Sequence, residues 1–379
     1  MSKKNLIISI VLILSPLIYF KYFNFIFNIE LVNLPIPLGI SFITFTLIAY
    51  IVDVYKNIAP REKNFTVLFA YIMYFPQLIA GPILRPQELI PQLKNIAKAT
   101  SKMKLAAITI FSIGLSKKII FADQLAQYVD PIYLNPLENS LSQWLVAFYA
   151  FPVQLYCDFS GYTDMAIGLA LFFGITLPMN FNKPYLATSI PEFWRIWHIS
   201  LSTWIRDYAY FPLGKVIKNI YIRTLIVMTI IGLWHGASWT MVIFGFIHGI
   251  LVSISNFLRM NKIPNILPKG IKIFLTFHLF SFSLIFFRAT DMNNVIDMFT
   301  VITFVDNLNF YDFQVLLYPL VLIGIFFLTH RYDNVKDIEN FIDKIKIVYL
   351  GLFITFIWIL CVSISIMNSG SNKFIYFDF

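Results

Sequence analysis

Charge is scarce in this sequence. Asp, Glu, Lys and Arg make up 13% of its 379 residues and hydrophobic residues 58%, where soluble domains carry about 25% charged and 45–50% apolar residues. Cysteine is almost missing: Cys157 and Cys361 both lie in apolar stretches, giving neither a disulfide framework nor metal-ligand spacing. There is no phosphate-binding glycine-rich loop, no H-E-x-x-H pair and no G-x-S-x-G elbow. ATP hydrolysis within the chain, disorder, collagen and a small disulfide scaffold are thereby excluded. No repeat and no low-complexity linker interrupts the chain, which reads as one membrane domain over 1–379.

What is present is long apolar runs, of the roughly 20 residues that a helix needs to cross a bilayer. The first, Leu6 to Phe20, follows Lys3 and Lys4. No small-residue cleavage pattern follows it, so a first transmembrane helix is expected rather than a signal peptide. Further spans are expected near 38–55, 66–80, 104–121, 141–157, 165–177, 222–234, 239–257, 271–287, 313–329 and 347–367. The fold class is all-α and polytopic, with roughly nine to eleven crossings. Several spans are short, which points to re-entrant or tilted helices covered by protein or lining a cavity. The net charge of +9 fits basic loops better than nucleic acid. Arg85 to Lys104 reads as an amphipathic or cytoplasmic segment. Basic residues flank many spans at both ends, so charge assigns no orientation.

One region breaks the apolar pattern. Asp158, Ser160, Asp164, Asn182, Glu192, Arg195, His198, Ser202, Arg206 and Asp207 fall between Asp158 and Gly214. An ionisable residue at the bilayer centre costs ~2.5–3.5 kcal/mol on insertion scales, so such a cluster normally lines a cavity. On a single helix at about 100° per residue, Arg195, His198, Ser202 and Arg206 share an arc of roughly 80°, with Trp194, Trp197 and Leu201 turned away. Pro191 suits the first turn of that helix, with Ser189 as cap. An interfacial helix with Trp anchors and lipid-facing arginines is the simpler alternative.

The second unusual stretch is Gly232-Leu-Trp-His-Gly-Ala-Ser-Trp239. His235 sits beside a glycine where the backbone can bend, and a neutral imidazole with an unperturbed pKa near ~6.5 suits a general base. A histidine in an apolar run is more often structural. His248, His278 and His330 lack comparable surroundings. On one continuous helix His248 would face about 220° away from His235, unless a break near Gly236 intervenes.

Together these residues resemble the membrane-bound O-acyltransferase family, in its alginate O-acetyltransferase branch. The resemblance rests on Tyr156-Cys-Asp-Phe-Ser-Gly-Tyr-Thr-Asp-Met-Ala-Ile-Gly168, Asn180-Phe-Asn-Lys-Pro-Tyr185, Glu192-Phe-Trp-Arg-Ile-Trp-His-Ile-Ser-Leu-Ser-Thr-Trp204, Arg206-Asp207-Tyr208 and Leu233-Trp-His-Gly-Ala-Ser-Trp239. Pro37 to Phe42, Phe75 to Pro82, Lys117-Lys118 with Ala122-Asp123, and Phe287-Arg-Ala289 support it, so the similarity runs over nearly the whole chain.

The resemblance implies a ring of helices around a narrow tunnel between a cytoplasmic funnel and an outer cavity. It makes His235 and His198 the catalytic pair, with Asp158, Asp164, Asn182, Arg195, Ser202, Arg206 and Trp234 as candidates to line the tunnel. It implies acyl transfer from a cytoplasmic thioester, acetyl-CoA or an acyl-carrier, to an acceptor outside, with no metal and no bound cofactor. The terminal Phe374-Ile-Tyr-Phe-Asp-Phe379 is similar to an aromatic hexapeptide of this branch. That makes Tyr376 a candidate acyl acceptor, where composition alone suggests an interfacial anchor. The expected partners are an extracytoplasmic SGNH-type acyltransferase and a polysaccharide, alginate-like or peptidoglycan, and the expected location is the inner membrane.

Three departures stand out. The resemblance implies about two further apolar helices before the point where this sequence begins, Arg195-Ile196 stands in place of a double arginine, and Gly214-Lys215 in place of a longer loop. D-alanyl transfer to teichoic acid, an inactive export subunit and a secondary transporter are the alternatives. The absence of an inverted repeat weighs against the transporter.

Overall fold

A computed structural model describes residues 2–29, 36–76, 81–264, 266–303 and 313–367. Among these residues the chain is helical and contains no strand. Its helices are α1 (Lys3–Leu17), α2 (Ile40–Tyr55), α3 (Phe65–Ile72), α4 (Pro86–Lys94), α5 (Ser101–Ser116), α6 (Asp123–Leu134), α7 (Leu141–Phe172), α8 (Ile190–Ile196) and α9 (Ile199–Ile205). They continue with α10 (Ile220–His235), α11 (Trp239–Met260), α12 (Lys269–Arg288), α13 (Met292–Thr303), α14 (Phe313–Thr329), α15 (Val335–Lys344) and α16 (Ile347–Met367).

Among the described residues, five helical stretches are long and apolar enough to cross a membrane: Lys3–Phe27, Ser101–Leu134, Trp239–Met260, Lys269–Arg288 and Ile347–Met367. Shorter apolar helices occur at Ile40–Tyr55, Ile220–His235 and Leu316–Tyr332. The chain is a multi-pass membrane protein.

Three π-helical segments, Ile18–Tyr22, Lys117–Ala122 and Arg206–Tyr210, interrupt otherwise continuous helix. Such turns are common where a helix carries function, and here they carry Lys21, Lys117 with Lys118, and Arg206.

The expected spans 141–157 and 165–177 are a single 32-residue helix, α7. A capping box opens it: Ser140 accepts from the Gln143 amide while the Gln143 side chain accepts from the Ser140 amide. The polar residues that suggested a break are neutralised from α5 and its π turn. Lys117 pairs with Asp164 and Lys118 with Asp158, each at 2.6 Å, so the helix runs on through the apolar interior.

Close backbone approach makes this pairing possible. A Cβ on Gly161 would lie 2.7 Å from the Gly114 carbonyl, and one on Gly168 would lie 2.7 Å from that of Ala107. Small residues at such seams let membrane helices pack tightly. Gly161→Ala must push backbone against backbone, an overpacking that costs about 1–3 kcal/mol. The expected result is a lower unfolding temperature of the detergent-purified protein, read by scanning fluorimetry.

The expected helix through Arg195, His198 and Arg206 is broken. α8 ends at Ile196, and His198 adopts a left-handed backbone, φ 44° and ψ 56°, before α9 begins. Ser189 caps α8 and Pro191 lies in its first turn, as the sequence implied.

Candidate active site

Three helices bring their histidines together. α10 ends on His235, and the chain breaks at Gly236 (φ −160°, ψ 147°) before Ser238 caps α11 through the Met241 amide. The break near Gly236 therefore exists, and it turns His248 on α11 back towards His235. His235 lies within electrostatic range of His198, His248 and Lys21. All three imidazoles are buried.

The end of α10 is held from both sides. Its last carbonyls need partners, and the π-helical segment Ile18–Tyr22 after α1 supplies them. Lys21 Nζ donates to the carbonyls of Trp234 and His235 at 2.7 and 3.0 Å, and the Tyr22 hydroxyl donates to that of Leu233 at 3.0 Å. The ammonium also complements the negative end of the helix dipole. On the other side Phe45 of α2 stacks between Trp234, 5.2 Å centre to centre, and Trp204, 4.1 Å. The Trp204 indole N–H donates to the Phe45 carbonyl, so α9 and α10 are fixed relative to each other. The Trp234 ring lies 6.4 Å from His198 and 5.0 Å from His235.

The two other histidines differ in what their nitrogens do. The Trp194 indole donates to His248 Nδ1 at 3.3 Å, and His248 Nε2 is 2.9 Å from the Ser283 hydroxyl. That hydroxyl donates its own proton to the Phe280 carbonyl, so both nitrogens of His248 are committed. His198 Nδ1 lies 3.2 Å from the Asn180 side-chain oxygen. Its Nε2 has no hydrogen-bond partner among the described residues.

A pocket of about 180 Å³ opens between α9, α10 and α11. Its walls include Ser202, Arg206, Ile231, Val252 and Asn256. Helical spacing gives it a direction. Residues three and four apart share a helix face, and on α10 and α11 the lining residues form such rows, which continue beyond the lining to His235 and His248. Thr224, Val227 and Ile231 lead to His235, and Asn256 and Val252 lead to His248, while His198 stands in the left-handed turn before α9, its carbonyl accepting from the Ser202 amide. At 1.5 Å per residue the mouth and the imidazoles are roughly 12 Å apart along α11. Exposure falls from 53% for the Arg206 side chain to 1% for His198.

The mouth is basic. Arg206 binds Asp207 through two nitrogens, and Arg85 reaches the same carboxylate. Partial burial opposes the Asp207 charge, but the hydrogen bonds from Arg206 and Arg85 outweigh it and hold the carboxyl below its usual range. Arg223 lies over the Tyr210 ring at 4.3 Å, and Arg259 donates to Asn256. Two guanidinium groups thus meet the Asp207 carboxylate, and two more contact the lining residues Tyr210 and Asn256.

Other sequence candidates lie elsewhere. Asp158 and Asp164 belong to the buried ion cluster with Lys117, Lys118, Asp123 and Asp333. Asn182 accepts from Asn334. Arg195 is exposed, and its guanidinium turns back to the Pro191 carbonyl. Trp194, which the one-helix reading turned away from the polar stripe, lines the pocket and binds His248. Tyr376 lies outside the described residues. Lys21, Tyr22, Asn180 and His248 were not assigned from sequence, although Asn180 opens one of the family-like motifs. A larger cavity of about 700 Å³ adjoins Lys117 and Asp333, and the three clustered histidines are among the lining residues of neither cavity.

Comparison with known proteins decides the family. A model of the membrane-bound O-acyltransferase family matches residues 59–292. The chain belongs to the membrane-bound O-acyltransferase family. It is 39% identical over 311 residues to the probable alginate O-acetylase AlgI of Pseudomonas aeruginosa, covering 77% of this chain and 58% of that protein. It is 37% identical over 331 residues to the peptidoglycan O-acetyltransferase of Helicobacter pylori, covering 77% and 63%. It is 30% identical over 278 residues to the teichoic acid D-alanyltransferase of Bacillus subtilis, covering 68% and 70%. The chain spans about three-fifths of the length of the first two. The family match includes both His198 and His235.

Proposed function

We propose that this chain is a membrane O-acyltransferase that takes an acetyl group from acetyl-CoA and delivers it for O-acetylation of an extracytoplasmic polysaccharide, alginate-like or peptidoglycan. The observation that carries the reading is the cluster of buried His198, His235 and His248 on the helices that wall a pocket with Arg206 in its lining. A polyanionic donor suits the arginines at the mouth, and the apolar walls suit the thioester arm. The two acetylating relatives support this acyl group and this acceptor class.

In the scheme His235 takes the proton of the acceptor hydroxyl as its oxygen attacks the thioester carbonyl. The carbon–sulfur bond breaks on collapse, and coenzyme A leaves as thiolate, which takes up the proton. General-base help of this kind gives ~10²–10⁴-fold. The oxyanion needs N–H donors, for which the Gly236 amide at the helix break is a candidate, and low polarity around the site strengthens such bonds. If Tyr376 is the first acceptor, two successive transfers give ping-pong kinetics, the second of them to an SGNH-type extracytoplasmic partner. The scheme places the protein in the inner membrane as a ring of nine to eleven crossings around a tunnel.

Radiolabelled acetyl-CoA supplied to membranes containing the protein tests the reading. Acetyl label on protein or glycan is expected. A transporter or an inactive subunit moves no label, and that outcome would refute it. Arg206→Gln should raise KM for the donor about 5-fold with kcat unchanged, consistent with ~1 kcal/mol for a half-exposed charge. The effect should shrink as salt is added.

A further inference from the structure

We infer that Asn180 is a positioning residue for His198: its side-chain oxygen holds the imidazole with the proton on Nδ1 and leaves Nε2 as a bare hydrogen-bond acceptor. The inference rests on the acyl-transfer reading and adds to it a residue and a protonation pattern.

The argument starts from an atom that can only donate. The Ser200 backbone N–H reaches the Asn180 side chain at 3.0 Å, so the Asn180 atom it meets is the carbonyl oxygen and not the amide nitrogen. The Ser200 hydroxyl donates to the same oxygen at 2.9 Å, and His198 Nδ1 lies 3.2 Å from it. A carbonyl oxygen has no proton to give, so the third bond exists only when Nδ1 carries one. A neutral imidazole protonated on Nδ1 keeps its lone pair on Nε2. That nitrogen is buried and has no hydrogen-bond partner among the described residues.

The backbone belongs to the same device. Asn180 is fully buried, and its main-chain carbonyl accepts from the Ile199 amide at 2.9 Å. The residue therefore grips the two residues that follow His198, Ile199 and Ser200, and the left-handed conformation of His198 is unfavourable for a side-chain-bearing residue and persists only where surroundings enforce it. His248 shows the opposite arrangement, with both ring nitrogens engaged.

The chemistry follows from the tautomer. Neutral His198 cannot donate to an oxyanion through Nε2. It orients a substrate O–H or N–H instead, and stabilisation of the oxyanion falls to N–H groups elsewhere, such as the Gly236 amide.

Nitrogen-15 solid-state NMR of the full chain labelled at histidine, reconstituted in lipid, reads the tautomer directly. The His198 signals, assigned by their loss in His198→Gln, should show a protonated Nδ1 and a bare Nε2. Asn180→Ala should lower kcat for acyl transfer by about 10–100-fold, the range seen when the partner that orients a metal-bound histidine is removed, with KM for acetyl-CoA unchanged. Asn180→Asp retains an acceptor oxygen and should recover kcat to near the wild-type value. A proton found on Nε2 of wild-type His198, full activity of Asn180→Ala, or no recovery in Asn180→Asp would overturn the assignment. If the wild type moves no acetyl group, the acyl-transfer reading fails, and the spectrum still decides the tautomer.

Discussion

Replacing His235 by alanine abolishes acetyl transfer while the protein stays folded and inserted. The loss should be at least the ~10²–10⁴-fold assigned to a general base, read as radiolabel transferred from acetyl-CoA per mole of purified protein. The fold should tolerate the change because the hydrogen bonds from Lys21 and Tyr22 go to main-chain carbonyls, although the imidazole also packs against Phe244 and Phe287. The stack of Phe45 on Trp234 lies one residue earlier. A monodisperse elution profile and an unfolding temperature near the wild type accompany the loss. A variant transferring label at the wild-type rate would remove His235 from the scheme.

The second large effect is on stability. Lys117 lies between Asp164, at 2.6 Å, and Asp333, at 2.5 Å, with all three side chains nearly buried. The Tyr156 hydroxyl also donates to Asp333. Lys117→Met leaves two carboxylates facing each other without a counter-charge, and breaking a buried pair in this way costs about 3–5 kcal/mol. The expected result is a sharply lower yield of folded protein and a lower unfolding temperature. Adding Asp164→Asn and Asp333→Asn to Lys117→Met removes the stranded charges and should recover most of the loss, because replacing a whole buried ion cluster is far cheaper than halving it. Equal instability of the single and triple variants would show that Lys117 acts through packing rather than charge.

Much of this architecture is legible in the sequence, and the failures share a cause. Apolar runs mark the helices, and Gly236 marks the break that folds His248 back on His235. The division of α7 was misread because Asp158 and Asp164 look intolerable in an apolar helix when read alone. Their partners, Lys117 and Lys118, lie about 40 residues earlier, and no local pattern joins them. The break at His198 was invisible for a different reason. Neither glycine nor proline marks it, and the left-handed turn is held by Asn180, 18 residues away. A single helix was therefore drawn through Arg195, which the structure leaves exposed, and Trp194 was assigned to the wrong face. The amphipathic helix α15, which presents Ile338 and Ile342 to the core, escaped notice because it is short. Ser202 stays tied to His198 through one hydrogen bond, from its amide to the His198 carbonyl.

The central claim is that an acyl thioester enters between α9, α10 and α11 and meets His235 at the inner end. A structure of the protein with a non-hydrolysable acetyl-CoA analogue, its sulfur replaced by methylene, tests this most directly. The account predicts phosphates beside Arg206 and Arg259 and the ketone oxygen within the histidine cluster. An analogue seated instead in the larger cavity beside Lys117 and Asp333, with the histidines untouched, would contradict it.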